Sequence, residues 1–300
     1  MEVQQIANVR DRWTDAWKAR ALSASQRNAS RFLTLIPSDE RHYLSDNEMR
    51  LACRVRFGLP LIPSLPPDTR CLCVENKSDP RSPRRLLSAL PQEHVLTCGS
   101  LRHHTRNSGH AMGVNAIASL AHSAGVPIIV SHRSSMAPSD RLTPDFSFEF
   151  IGKRVTSDWT MAHPVAESYL KQSSHKPLFA AHRLESAKHR KYDAWVRKEN
   201  RQFISFSVET LGAFGTEAIQ IIDLLATDAV RNEMAADRSQ FKNKAYNLLS
   251  VAIARGVAET IRLGVMIYRG SHPVAASASG GRNIHSSSSH SSHSSYSIHH

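Results

Sequence analysis

The stretch RLTPDFSFEFIGKRVTSDWT, residues 141–160, decides the fold. Asp145 follows Pro144 and precedes an alternating run, Phe146, Phe148 and Phe150. Alternate side chains on a strand share a face, so the three phenylalanines are expected on one side and Asp145 on the other. Glu149 has the parity of Asp145 and is a backup carboxylate. Gly152 interrupts the run, and a second short run ends on Asp158. Two strands joined by a tight turn bring Asp145 and Asp158 near each other.

Residues 180–198 read as a helix whose basic part is LESAKHRKYDAWVRK, and FISFSVET, residues 203–210, reads as a strand. Lys188 and Lys191 lie three apart on one side of that helix. Two acids beside a pair of strands, with a lysine in reach, match the needs of metal-dependent phosphodiester cleavage. Carboxylates hold the metal, the metal activates water, and the lysine offsets charge on the phosphate. Glu209 at the end of the strand reads as a fold-supporting acid, and His163 before Pro164 as an ordered loop histidine.

Upstream, residues 9–22 carry one helical pattern. Ser45 with Glu48 three residues on is a capping box for another, ended by Gly58 and Pro60, with Cys53 on its apolar face. From 63 to 99 the sequence turns to proline, aspartate and cysteine, with KSDPRSPRRLL (77–87) expected as an exposed basic loop. Residues 107–124 read as a helix and VPIIV (126–130) as a short strand. Downstream, helices are expected from 216, over 232–245 and over 247–268. The Ser/His-rich segment 269–300 is expected to be disordered, since its composition cannot supply a core. Helices alternating with strands give an α/β class.

Cys71, Cys73, His94 and Cys98 form a Cys-x-Cys followed by His-x-x-x-Cys, a donor set that suits a tetrahedral structural zinc. One intervening residue in the first pair is tighter than usual, and His103, His104 and His110 are spare ligands. The 300 residues carry a formal charge of +12, which favours a polyanionic partner, nucleic acid before membrane. No apolar run reaches membrane-spanning length, no secretory h-region opens the chain, and sparse cysteines point to a reducing compartment.

In order along the chain, several stretches resemble the region downstream of the reverse transcriptase in non-LTR retrotransposons of the restriction-like-endonuclease type. They are FLTLIPSDERHYLSDNEMRLACRVRFGLPL, CLC…HVLTC, SLRHHTRNSGHAMGVNAIASLAHSAGVP, TPDFSFEF…SDWTMAHP, AKHRKYDAW, FISFSVETLGAFG and LLSVAIARGVA. Together they cover most of residues 30–265.

The resemblance implies a restriction-endonuclease-like PD-(D/E)XK core with helical flanks and a small zinc knuckle. The implied segments are a helical linker region over 1–62, the knuckle over 63–106, the nuclease core over 107–230 and C-terminal helices over 231–268. Asp145 and Asp158 would hold magnesium or manganese. Lys188 or Lys191 would replace the lysine that simpler nucleases carry two residues after the second acid, where this chain has Thr160, and Tyr192 would position the lysine or a phosphate. Cys71, Cys73, His94 and Cys98 would hold structural zinc.

The implied activity is nicking of target DNA for insertion by target-primed reverse transcription, in a nucleus, with DNA and possibly element RNA as partners. No YxDD-like polymerase run is present, so the upstream reverse transcriptase domain is expected to be missing and the chain to be a fragment or relic. The alternative reading is a catalytically inactive nucleic-acid-binding remnant.

Overall fold

A computed structural model describes residues 14–62, 65–76, 78–79, 81–131 and 143–270, except the side chains of 102–108. In chain order the principal elements are α1 (Asp15–Ala24), α2 (Asp46–Arg56), β1 (Arg70–Val74), β2 (Arg84–Leu86), α3 (Gly99–Ser123), β3 (Ile128–Val130), β4 (Phe146–Phe150), β5 (Lys153–Ser157), β6 (Trp159–Ala162), α4 (Glu167–Ser173), α5 (Phe179–Lys198), β7 (Gln202–Phe203), β8 (Phe206–Glu209), α6 (Thr216–Arg231) and α7 (Arg238–Gly270). The fold is mixed α/β.

The hairpin forms as the alternating run requires. β4 pairs antiparallel with β3 on one side and β5 on the other, with Phe146 facing Ser157 and Phe150 facing Lys153. Gly152 turns the chain at φ 72°, a left-handed conformation that glycine adopts without a Cβ clash. The buried face carries Phe146, Phe148 and Phe150 in a stacked ladder with ring centroids 5.7 and 5.3 Å apart. Each such burial stabilises by about 1.5–3 kcal/mol. The opposite parity carries Asp145, Ser147 and Glu149.

β5 and β6 are one run of chain interrupted at Asp158, and β7 and β8 one run interrupted at 204–205. Val155 faces Gln202 and Trp159 faces Phe206, so the parallel register passes Asp158 without a slip. Ile204 N donates to Thr156 O at 3.0 Å and Phe206 N to Asp158 O at 3.2 Å across the same gap. β4 accompanies this pair only as far as Ser157. The sheet therefore narrows from the order β3-β4-β5-β7 to β6-β8 alone.

Three helices frame the sheet. α5 is the crossover between the parallel strands. α3 passes beneath β6, where Gly113 leaves room for the indole of Trp159, since a Cβ there would lie 2.1 Å from Cε2. α7 crosses α3 backbone to backbone at Gly256 and Gly109, where a Cβ on Gly109 would meet the Gly256 carbonyl at 3.0 Å. The expectation of two C-terminal helices is corrected: residues 238–270 form one, because no proline or turn signal separates 245 from 247.

α3 begins at Gly99, directly after Cys98, rather than near 107. The basic segment 77–87, expected as loop throughout, closes as strand β2 paired with β1. The Ser45 capping box is present, Ser45 N donating to Glu48 Oε2 at 2.8 Å. Of the helix expected over 9–22, residues 9–13 lie outside the described residues, as do 271–300 of the expected tail.

Candidate active site and metal centre

Extending the β4–β5 register one step past Phe146 and Ser157 sets Asp145 opposite Asp158. Residues directly opposite in an antiparallel pair point to the same side. Here the ladder stops. The next residue on β4's side is Pro144, which has no N–H to give. The Trp159 N–H is taken instead by the Asp145 side chain, with Oδ2 accepting at 2.8 Å. Asp145 Oδ2 also contacts His110 Nε2 at 2.9 Å, and Asp145 O accepts from Ser131 N at 3.0 Å. Asp145 is 3 % exposed and Asp158 is fully buried.

α5 supplies the cationic side. The Lys188 ammonium is bonded to Asp158 Oδ2. Tyr192, one turn on, donates to Thr143 O at 3.1 Å and lies 3.3 Å from Asp158 Oδ1. Lys191 Nζ lies 2.7 Å from the Tyr192 hydroxyl and 4.3 Å from the ring centroid. Of the two candidate lysines, Lys188 reaches the acid and Lys191 reaches the tyrosine. Thr160, two residues after Asp158, lies on β6 opposite Ser207. Burial, and then the charge of Asp145, push the Asp158 pKa above the usual carboxylate range, while Lys188 pulls it down.

The remaining sequence candidates stand apart. Glu149 pairs across the strands with Arg154, at 3.2 Å, and with Arg201 at 3.7 Å. It lies four residues up the strand from Asp145, about 13 Å away. His163 is an ordered buried histidine, its Nδ1 2.7 Å from Thr210 Oγ1, and burial followed by the Arg20 charge lowers its pKa to about 3. Glu209 is buried on β8 and accepts from Ala181 N at 3.3 Å, and burial raises its pKa. Cys53 is half-buried against Met49.

Two groupings escaped the sequence reading. His110 was only a spare zinc ligand there. It occupies the stripe of α3 that carries Val114, Ile117 and Ala121, and a histidine on such a stripe is the signal that it needs a buried polar partner. The second is a polar knot between α5 and the start of α6. His189 bridges Asp193 and Glu217, both at 2.7 Å, and Glu217 Oε2 accepts from Ser205 N at 2.6 Å. Glu185 Oε1 accepts from Glu217 N at 3.2 Å, and burial pushes Glu185 up to about 7. The knot fastens the helix that carries Lys188 and Tyr192.

The cysteine cluster assembles as the spacing suggests. Cys71 and Cys73 sit on β1, where a period of two puts both thiols on one face, so a single intervening residue suffices. His94 and Cys98 are four apart across one helical turn. Cys71 Sγ lies 3.4 Å from Cys98 Sγ and 3.3 Å from His94 Nε2, and Cys73 Sγ lies 3.4 Å from His94 Nε2. All four ligand atoms fall within 4.8 Å of one another.

Donors around a tetrahedral zinc stand about 3.6 Å apart, so these residues fit a metal ion and are consistent with a structural zinc site. Crowded thiols resist joint ionisation without a cation: the Cys71 hydrogen bond, then burial, pushes Cys98 up to about 11. His103 and His104 have side chains outside those described, and His110 is engaged by Asp145. The end of α7 closes over the cluster. Gly264 abuts Val95, and the Tyr268 hydroxyl lies 3.8 Å from Cys71 Sγ.

No family model, curated protein or solved structure matches this chain. No helix among the described residues is long and apolar enough to cross a membrane.

Proposed function

We propose that this protein is a metal-dependent DNA endonuclease with a restriction-endonuclease-like core and a structural zinc centre. The observation that carries the reading is Asp145 opposite Asp158 at the end of the β4–β5 ladder, with the Lys188 ammonium on Asp158. The order α3, β3, β4, β5/β6, α5, β7/β8, with the last strand parallel to the third, supports a PD-(D/E)XK core.

Two buried carboxylates repelling each other are a fitting cradle for magnesium or manganese, which bind through oxygen. The ion bound there would supply a water of lowered pKa. The protein's own part is positional. His110 and Trp159 N–H hold Asp145 Oδ2 and so fix the carboxylate beside Asp158. Tyr192 steadies Asp158, and Lys188 offsets charge on a phosphate beside it. Lys191, exposed beside the buried Tyr192 hydroxyl, would orient the backbone of the bound strand. Zinc held by Cys71, Cys73, His94 and Cys98 would fix β1 against the start of α3.

The ordered resemblance supports a narrower reading, nicking of target DNA for retrotransposon insertion beside a reverse transcriptase. A second reading is a catalytically inactive nucleic-acid-binding remnant. It is favoured by Thr160 at the usual lysine position and by the hold of Lys188 on the acid itself. Purified protein on supercoiled plasmid with magnesium separates the two: the nuclease converts it to the nicked circle and Asp145→Ala does not. Equal nicking by both proteins overturns the assignment of Asp145. Duplex binding without any magnesium-dependent nicking selects the remnant.

A further inference from the structure

We infer that the outer face of α5 is a rail on which a DNA duplex lies, delivering one strand to the carboxylates. The inference rests on the nuclease reading. Arg183, Arg190 and Arg197 are seven residues apart on this helix, and all three are exposed. Seven residues make nearly two turns, so the three form one row with steps of about 10.5 Å, close to three base pairs of duplex rise. Ala187 and Ala194, both exposed, separate them, and small side chains let a backbone approach closely.

Of the acids of this helix, Glu185 is buried, and Asp193, about 40–60° round the helix from Arg197 and Arg190, has its carboxylate taken by His189. At about 100° per residue, Lys191 falls between the arginine row and Lys188. Positive charge therefore runs unbroken from the outside of the helix to Asp158.

Basic residues in a last turn are also explained by the helix dipole, which accounts for Arg197 and Lys198. Arg183 and Arg190 lie in the first half and the middle of α5, where the dipole gives no reason for them. Row, spacing and charge complementarity fit the phosphate backbone of a duplex.

The test is fluorescence anisotropy of the whole chain with a labelled duplex across a salt series, run beside plasmid nicking. Each arginine that neutralises a phosphate contributes about 0.9 to the slope of log affinity against log salt. The Arg183→Ala, Arg190→Ala, Arg197→Ala triple variant is expected to lower that slope by about 2–3 and weaken binding by about 10–100-fold at 0.1 M salt. Replacement of all three by lysine is expected to restore most of it. Nicking by the alanine variant falls with its binding and recovers at saturating protein.

Unchanged affinity and slope in a wild type that nicks overturns the rail and leaves the nuclease reading standing. Loss of binding in the triple variant of a protein that never nicks supports the rail and overturns the reading. Preference for single-stranded DNA or RNA over duplex overturns the occupant proposed here.

Discussion

Lys188 and Asp158 are thirty residues apart in the chain and form a part-buried ion pair between the middle of α5 and the residue that separates β5 from β6. On the nuclease reading, the pair supplies from α5 the lysine that β6 does not carry at Thr160. It also neutralises an acid that burial and Asp145 make costly to ionise.

Lys188→Met is therefore expected to act twice. Plasmid nicking falls by about 100-fold or more, as for loss of a group that offsets transition-state charge. Stability falls by about 1–3 kcal/mol in urea denaturation, limited because Asp158 takes up a proton in response. Lys188→Arg is expected to recover the stability and little of the activity, since a planar guanidinium does not reproduce the ammonium's position.

Glu185 gives a pH dependence whose sign is fixed. Burial raises its folded pKa from 4.5 to about 7, against the hydrogen bond from Glu217 N, which lowers it. A raised acid contributes stability that is present below the unfolded value and lost as pH climbs through the folded one. Melting temperature is expected to decline between pH 4.5 and about 7 through this group. Glu185→Gln keeps the acceptor for Glu217 N and flattens that decline. It gains about 1 kcal/mol at pH 8, or roughly 2–4 °C. An unflattened profile would place the titration elsewhere.

At the cysteine cluster, atomic absorption on the purified chain is expected to find one zinc ion, and Cys98→Ser to abolish it. Stripping the metal with a strong chelator lowers the melting temperature by about 10 °C, the scale of several kcal/mol in a domain of this size. Recovery on adding zinc, but not magnesium, distinguishes this site from the carboxylates.

Gly113→Ala tests the packing beneath the acids. In an ordinary helix this change stabilises by about 1 kcal/mol. Here the new Cβ lands 2.1 Å from the Trp159 ring, which stacks on Phe206 at 5.3 Å. The expected result is a loss of about 1–3 kcal/mol and a changed near-ultraviolet tryptophan signal. Asp145 then loses its alignment on Trp159 N–H, and on the metal-binding reading manganese affinity at the carboxylates is expected to fall as well.

The two acids were legible because local rules place them. A proline ends a ladder, alternation fixes parity, and a glycine sets the turn, all within 141–160. The choice between Lys188 and Lys191 was not legible, since both lie on one side of α5 and only the packed helix shows which reaches Asp158. His110 was hidden for a related reason. Its partner is thirty-five residues away, and the histidine sits on a stripe that otherwise reads as plain core. The Cys-x-Cys spacing looked short only while its secondary structure was unstated. On a strand, one intervening residue is the spacing that aligns two thiols. The long α7 was divided in the sequence reading because helices of ordinary length are the better guess, and its internal glycines, Gly256 and Gly264, mark close contacts rather than an end.

The narrowing of the sheet at Asp158 has a mechanical consequence. Up to Ser157 the sheet is four strands wide, and beyond it two, with the parallel register unbroken. A plate that narrows abruptly flexes at the step. Asp145 belongs to the wide part, and its side chain, accepting from Trp159 N at 2.8 Å, ties that part to the narrow one across the step. On the metal-binding reading proposed above, an ion between the two acids would close the same step from the other side.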